Sequence, residues 1–469
     1  MKERTTIKKI ILNFRKRILD VYWRIYKATQ TYIYIITGRS SGKTTFVPDR
    51  LVSDFLKHAD GNVFIFRKHQ NTLHRSAFMA IKKEIYELGL ASEFEFIPSR
   101  LMIEDKTNLT KFYFFGLDDE AKIRSTVLDH GYPFRYWFEE FQENKKTQDL
   151  EQIDDVLDTF IRVRLPKGVK HQAFFTGNRP RNKYAPMNVH LDRIQQAHDD
   201  DTLFIDDISY LDMKDKNGEW LLSEQQLEKI MRVKERDPNT YEWRYHASAV
   251  GEESQIYNVD LMRRIKSHLD LPLGEQIISF DIVIDTGYQV SATTFGAVGY
   301  TNKQNVVILN TSYFSPDSKI RQRIPEKVLA PHQVANSQGE KKAPTELSND
   351  LQDFQRKVTK ITGLYCEEKI VDSAEGALRN QYFKDTGQFL LTVSKMEKDD
   401  MIELSRDVMI ERQVYVVDIP ENEIFWFEMT KYQRDMSDPF KPKIVKIDDH
   451  TCDWYQYYCV KNKQKLGIR

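Results

Sequence analysis

The stretch Thr31-Tyr-Ile-Tyr-Ile-Ile-Thr-Gly-Arg-Ser-Ser-Gly-Lys-Thr-Thr45 decides the fold of the N-terminal half. Tyr32, Ile33, Tyr34, Ile35 and Ile36 are β-branched or aromatic, as a buried parallel strand requires. From Phe46 onward Val47, Leu51, Val52, Phe55 and Leu56 return every three or four positions, which predicts a helix with one buried face. Between strand and helix, Gly38 and Gly42 let successive backbone N–H groups point into the turn. The helix N-terminus adds partial positive charge there, so the turn favours a phosphate. Lys43 is placed to reach β- and γ-phosphates, and the Thr44 hydroxyl to ligate Mg²⁺. The expected nucleotide contact runs through Gly38, Arg39, Ser40, Ser41, Gly42, Lys43, Thr44 and Thr45. The usual spacing, Gly-x₄-Gly-Lys-[Ser/Thr], has glycine where this chain has Thr37.

The chain has 469 residues, enough for two domains or three, because single cores rarely grow past roughly 250–300 residues. Lys and Arg number 70 against 70 Asp and Glu, so no global field attracts a polyanion and any such binding must be local. Cys366, Cys452 and Cys459 lack metal-ligand spacing and suggest a reducing compartment without a disulfide frame. No apolar run approaches the roughly 20 residues of a membrane span, and no signal-peptide core is visible. A soluble, intracellular protein with no membrane partner is expected.

Residues 1–30 are rich in Lys and Arg, with Ile10, Ile11, Phe14, Ile18 and Val21 at roughly helical spacing, which predicts one basic amphipathic helix. Beyond the phosphate turn, Asn62–Lys68 reads as a strand and 76–88 as a helix, a βαβα alternation. Phe134-Arg-Tyr-Trp-Phe-Glu-Glu140 is a further strand, closing on adjacent carboxylates. Neighbouring side chains on a strand face opposite ways, so the two acids take different jobs: Glu139 holds Mg²⁺ and Glu140 orients and deprotonates the attacking water. Gln172–Pro180 repeats the design of a strand followed by a polar turn, and Asn178 at the strand's end is placed to sense a γ-phosphate; an Asn-stabilised turn is the alternative. Residues 195–250 read as a small lid subdomain, and 251–275 as the linker. The expected domains are 1–260 and 272–469.

The second half opens with the strand Ile277–Asp285, followed by strands over 292–300 and 305–313 and a proline-containing polar loop at 315–350. Asp285, Asp372 and Asp453 lie at element ends far apart in sequence. That distribution suits a two-metal nuclease, because two divalent ions about 4 Å apart need carboxylates from several elements. His450 precedes Asp453 by three residues and shares its helix face, where it could bind metal or hold the carboxylate.

The order of these motifs resembles the large subunit of tailed-bacteriophage terminases. The phosphate turn with Arg39, the run from Phe114 to Ser125, Glu139-Glu140, Thr176-Gly-Asn178, Asp285-Thr-Gly287, Val371-Asp-Ser-Ala-Glu375 and His450-x-x-Asp453 are similar to that family's motifs. The resemblance implies an α/β chain: an N-terminal P-loop ATPase domain, mostly a parallel sheet flanked by helices, and a C-terminal ribonuclease-H-like nuclease domain. It implies ATP and Mg²⁺ in the first domain, with Arg39 stabilising the transferring phosphate, and two Mg²⁺ or Mn²⁺ ions in the second. The nuclease ligands it implies are Asp285, Asp372 and Asp453. Asp281 is the rival first ligand, and Asp285 is favoured because Gly287 follows it. The partners implied are duplex DNA gripped through its phosphates, a portal protein, a small terminase subunit and further copies in a ring on the procapsid. Action in the host cytoplasm during assembly, outside the mature virion, follows. The chain departs from the family at Trp454 and Gln456, where Ala and Arg are common. The alternative reading is a helicase or remodelling ATPase whose C-terminal domain only binds.

Overall fold

In the computed structural model, Phe14 and residues 17–197, 199–249, 254–286, 292–315, 323–336, 342–394, 396–438 and 442–468 are described. Half of the basic stretch over 1–30, Gly287 and residues 251–253 lie outside them; the described part of that stretch contains α1 (Asp20–Tyr26). The chain divides into two units, Met1–Glu252 and Glu253–Arg469.

The first unit is built on β1 (Tyr32–Ile36), β2 (Gly61–Arg67), β3 (Phe94–Ile97), β4 (Met102–Asp105), β5 (Lys111–Gly116), β6 (Tyr132–Phe138), β7 (Gln172–Gly177) and β8 (Thr202–Ile205). They form one sheet in the order β3–β4–β5–β2–β6–β7–β1–β8, parallel from β5 to β8 and extended by the antiparallel β3 and β4. The strand period of two splits β1 between two cores. Ile33 and Ile35 pack with Phe46, Val47, Leu51, Val52 and Phe55 of α2 (Lys43–Lys57) and with α3 (Ala77–Glu87). Tyr34 and Ile36 pack on the other face with Leu150, Ile153, Val156 and Phe160 of α4 (Thr147–Ile161), beside α5 (Pro186–Ala197). Each such side chain taken fully from water contributes roughly 1.5–3 kcal/mol. The strand order sets β7 between β1 and β6, so the carboxyl ends of all three meet along one edge, where open α/β sheets bind ligands.

Part of the stretch expected as a lid over 195–250 lies in the main sheet. Residues 202–205 pair in parallel with β1 and belong to the main sheet. Outside the sheet stand α6 (Glu224–Arg236) and α7 (Pro238–His246), the second capped by the Asp237 carboxylate, which accepts from the Thr240 N–H at 2.9 Å.

The second unit contains β9 (Met262–Ile265), β10 (Ile277–Asp285), β11 (Thr293–Thr301), β12 (Val306–Phe314), β13 (Cys366–Val371), β14 (Leu391–Thr392) and β15 (Val414–Val417). The order is β14–β13–β10–β11–β12–β15–β9, an antiparallel meander of β10, β11 and β12 with parallel strands added on both sides. Val283 and Val298 face α10 (Lys398–Glu411), α11 (Glu423–Lys431) and α12 (His450–Asn462). Ile282 and Ile284 face α8 (Pro344–Thr362) and α9 (Gly376–Thr386). Trp454 is fully buried, stacked on Phe425 at 5.0 Å, and lies so close under β11 that a Cβ on Gly296 would come within 2.7 Å of its ring.

The expected linker 251–275 is corrected by this sheet: β9 is its edge strand, and Ile256 and Tyr257 are buried in its core. Among the described residues no helix is long and apolar enough to cross a membrane.

Candidate functional site

At the end of β1 the chain turns through Ser40 and Gly42, both with positive φ (60° and 82°), before α2 begins at Lys43. The Thr37 and Ser41 hydroxyls are hydrogen-bonded at 2.7 Å, closing the mouth where the usual motif has glycine. Tyr22 donates to the Ser41 carbonyl at 2.8 Å. Arg39, Ser40, Thr44 and Thr45 are exposed, and the Arg39 guanidinium lies 6.0 Å from the Trp243 ring centre. The end of α7 packs directly on this turn. The Arg39 N–H donates to the Arg244 carbonyl at 2.7 Å, and a Cβ on Gly38 would stand 2.0 Å from the Tyr245 carbonyl oxygen. Gly38 is therefore needed for close approach, while Gly42 is needed for its backbone angle.

Lys43 is buried, and its ammonium donates to the Thr37 carbonyl (3.3 Å), the Gly38 carbonyl (3.2 Å) and Asn178 Oδ1 (2.8 Å). Burial lowers its pKa to about 8 against the pull of Glu140, with Arg39 adding to the lowering. The Asn178 N–H donates to Gln142 Oε1 at 3.1 Å, and Gln142 Nε2 donates to Glu140. One polar chain therefore joins Lys43, Asn178, Gln142 and Glu140 across the ends of β1, β7 and β6. Gln142 was not singled out in the sequence, although its place two residues beyond the paired acids was available as a signal.

Glu139 and Glu140 diverge because the chain turns left-handed at Glu140 (φ 50°). Glu139 is buried, accepts from the Ser76 hydroxyl at 2.7 Å and lies 3.6 Å from Arg67. Burial raises its pKa to about 7, with Ser76 and Arg67 opposing. Thr44 and Glu139 offer hard oxygen donors of the kind Mg²⁺ takes.

In the second unit Asp285 ends β10 and is hydrogen-bonded to His450 Nδ1 at 3.1 Å. Burial raises the Asp285 pKa, His450 pulls it down and the nearby Asp453 adds to the rise. Asp453 is paired with Lys398, the first residue of α10. Asp372 follows β13 and lies 3.4 Å from the Tyr457 hydroxyl. Burial raises the pKa of Tyr457, and Asp285, Asp453 and Asp372 each add to it, so the charges of three acids remote in sequence bear on one phenol. Tyr457 falls four residues after Asp453, on the same helix face, a spacing that could have found it. Nothing in the sequence pointed to Lys398.

Asp281 is placed elsewhere. It is buried in the middle of β10, accepts from the Glu368 N–H and from Asn462 Nδ2, both at 3.0 Å, and has its pKa raised by burial to about 6. Behind His450, the buried Glu428 accepts from the Thr451 N–H (2.6 Å) and hydroxyl (2.7 Å), fixing the start of α12. Among the described residues no three His, Cys, Asp or Glu side chains stand close enough to hold a metal ion. The oxygen-rich donor set of Asp285, Asp372 and Asp453 nevertheless suits Mg²⁺ or Mn²⁺.

Residues 29–248 match the family described as phage terminase large subunit, and residues 285–461 the one described as terminase RNAseH like domain. The terminase large subunit of Bacillus phage SPP1 is 26% identical over 293 residues, which is 58% of this chain and 65% of that relative's length. The large terminase of a thermophilic bacteriophage shares the fold with a TM-score of 0.67 at 16% identity, over 98% of both chains. The same thermophilic-phage protein in complex with ATP-gamma-S gives a TM-score of 0.65 at 17% identity, over 97% of this chain and 98% of that one.

Proposed function

The chain belongs to the phage terminase large subunits, and from that membership we propose that it is the motor of a viral DNA-packaging machine. In this reading the first unit hydrolyses ATP to drive duplex DNA into a procapsid, and the second cuts concatemeric DNA. The observation that carries the ATPase half is the polar chain from Lys43 through Asn178 and Gln142 to Glu140. On binding, the triphosphate replaces the Thr37 and Gly38 carbonyls as partner of the Lys43 ammonium. Glu140 holds and deprotonates the attacking water, and Arg39 turns from Trp243 toward the transferring phosphate. Thr44 and Glu139 would hold Mg²⁺, which supplies charge neutralisation between the phosphates. Asn178, bonded to Lys43 before the phosphate arrives, reports its arrival to the loop after β7.

In the second unit Asp285, Asp372 and Asp453 would hold two divalent ions, which supply Lewis acidity at the scissile phosphate. His450 orients Asp285, and the Tyr457 hydroxyl stands beside Asp372. Duplex DNA, a portal, a small subunit and a ring of copies in the host cytoplasm complete the proposal. The pairing of Asp453 with Lys398 and of Asp285 with His450 favours a second reading, in which this unit binds DNA without cutting. ATP turnover and nicking of supercoiled plasmid in Mn²⁺ by the full chain test both. The packaging reading expects both activities; turnover without nicking hands the second unit to the binding reading, and absence of both overturns the proposal.

A further inference from the structure

The start of α12 carries His450 and Asp453 within one turn, so the placement of that turn sets how both side chains meet Asp285. The first N–H groups of a helix lack partners inside it. A Ser, Thr, Asp or Asn at the N-cap usually accepts from one of them. Asp449 holds that place here, yet its side chain caps nothing. The acceptor comes from another helix: Glu428 of α11 takes the Thr451 N–H at 2.6 Å and the Thr451 hydroxyl at 2.7 Å, both on Oε2. A cap from Asp449 would tie α12 only to its own chain. A cap from Glu428 ties it to α11.

Two contacts from the sheet end on His450. The Ala292 N–H donates to His450 Nε2 and the Thr294 hydroxyl to the His450 carbonyl, both at 3.4 Å, and Thr294 is the β11 residue paired with Asp285. Phe425 of α11 stacks on Trp454 at 5.0 Å. Apolar stacking leaves the rotation of one helix against another loosely defined, and the directional bonds from Thr451 to Glu428 remove that freedom. Stability does not account for the carboxylate. Glu428 and Thr451 are wholly buried, and Glu428 Oε1 has no hydrogen-bond partner among the described residues. A buried carboxylate with one oxygen unmatched costs free energy that an apolar side chain of like volume would not.

We propose that Glu428 is a positioning residue of the second unit: by holding Thr451 it sets how Asp453 and His450 stand to Asp285, and through them the affinity for divalent metal. The inference rests on the nuclease reading above. Being wholly buried, Glu428 acts through α12 and not by contact with metal or DNA. Groups that hold a metal's ligands in place change affinity or activity by roughly 10- to 100-fold when lost.

The test is Mn²⁺ binding to the full chain without nucleotide, read as loss of the free-Mn²⁺ electron paramagnetic resonance signal. Asp453→Asn serves as the blank for Mn²⁺ held elsewhere, and plasmid nicking is followed over a series of Mn²⁺ concentrations. Glu428→Met fills the space and removes the acceptor. It should weaken Mn²⁺ binding on the order of 10- to 100-fold and raise the Mn²⁺ needed for half-maximal nicking by the same factor. Glu428→Gln keeps an oxygen that accepts from Thr451 and should restore most of the parent's affinity, a rescue that a role in packing alone would not single out. If Glu428→Met does not fold, Thr451→Val, which removes one of the two donors, should shift both readouts the same way by less. Unchanged Mn²⁺ affinity in Glu428→Met, or equal losses in Glu428→Met and Glu428→Gln, overturns the inference. A parent that binds Mn²⁺ without nicking overturns the cutting reading alone, and the Mn²⁺ affinities still decide the role of Glu428. A parent that binds no Mn²⁺ overturns both.

Discussion

The Lys43 ammonium and the Asn178 carboxamide are hydrogen-bonded at 2.8 Å, joining the helix that begins at the phosphate turn to the strand that separates the turn from the paired acids. Asn178→Ala should therefore bind ATP and lose turnover, on the order of 100-fold for one positioned polar group near the transferring phosphate. Glu140→Gln should also bind and lose on the order of 10²–10⁴ in rate, the range of a general base. Filter binding and phosphate release measured side by side check both. Full turnover in either variant refutes the role given to that residue.

The second unit separates its two aspartates of β10 by partner. Asp285→Asn and Asp453→Asn should each abolish Mn²⁺-dependent plasmid nicking, while Asp281→Ala should keep it. Asp281→Ala should instead lower stability by about 1–3 kcal/mol, because Asn462 and the Glu368 N–H lose a buried acceptor. A thermal melt beside the nicking assay distinguishes these outcomes. Loss of nicking in Asp281→Ala with an unchanged melt would make Asp281 the ligand.

The buried Asp54 carboxylate lies 2.6 Å from Arg135 and 2.9 Å from Arg50. Burial alone would raise its pKa, but the two guanidinium groups outweigh burial and hold it at about 2 instead of 3.8. A folded pKa below the unfolded one contributes stability above pH ~4 that is lost as pH falls through ~2. That contribution is roughly 2 kcal/mol. Asp54→Asn should cost about 3–5 kcal/mol at pH 7, since it leaves buried charges unmatched. The gap between variant and parent should narrow toward pH 2. Thermal unfolding across pH 7 to 2 measures it, and a gap independent of pH would deny the ion pairs their role.

The edge strand β9 and the buried Ile256 and Tyr257 belong to the second unit. A fragment beginning at Ser254 should fold alone and elute as a defined species on size exclusion. One beginning at Leu271 strips the edge pairing from β15 and opens the core, and it should aggregate. Equal behaviour of the two would make β9 dispensable.

What could be read from sequence followed chemical contrast along the chain. Tyr32–Ile36 before a glycine turn, Phe134–Phe138 before two acids and Ile277–Asp285 are long apolar runs with abrupt polar ends, and each is a central strand. β9 escaped notice because Met262-Arg-Arg-Ile265 buries only its outer residues and shows two exposed arginines, a pattern that reads as charged loop. Leu203–Ile208 reads as a strand, but nothing in so short a run tells that β8 pairs with β1 and does not stand in a lid. The acids Asp285, Asp372 and Asp453 could be named from their positions at element ends. Tyr457 was within reach through its i+4 spacing from Asp453, whereas Lys398 was not, because a salt bridge between residues 55 apart leaves no periodic trace. Asn178 was visible as a polar residue ending a strand, but its bond to Lys43 depends on β7 lying between β1 and β6, which is a property of strand order alone.

Between Gly38 and the carbonyl of Tyr245 there is no room for even one methyl group. Side chains absorb small displacements by changing rotamer, whereas two abutting backbones cannot. A push on α7 thus arrives at the phosphate turn undiminished, and a push from the turn returns along the same path. The junction works as a rigid strut, and its stiffness comes from the absence of an atom.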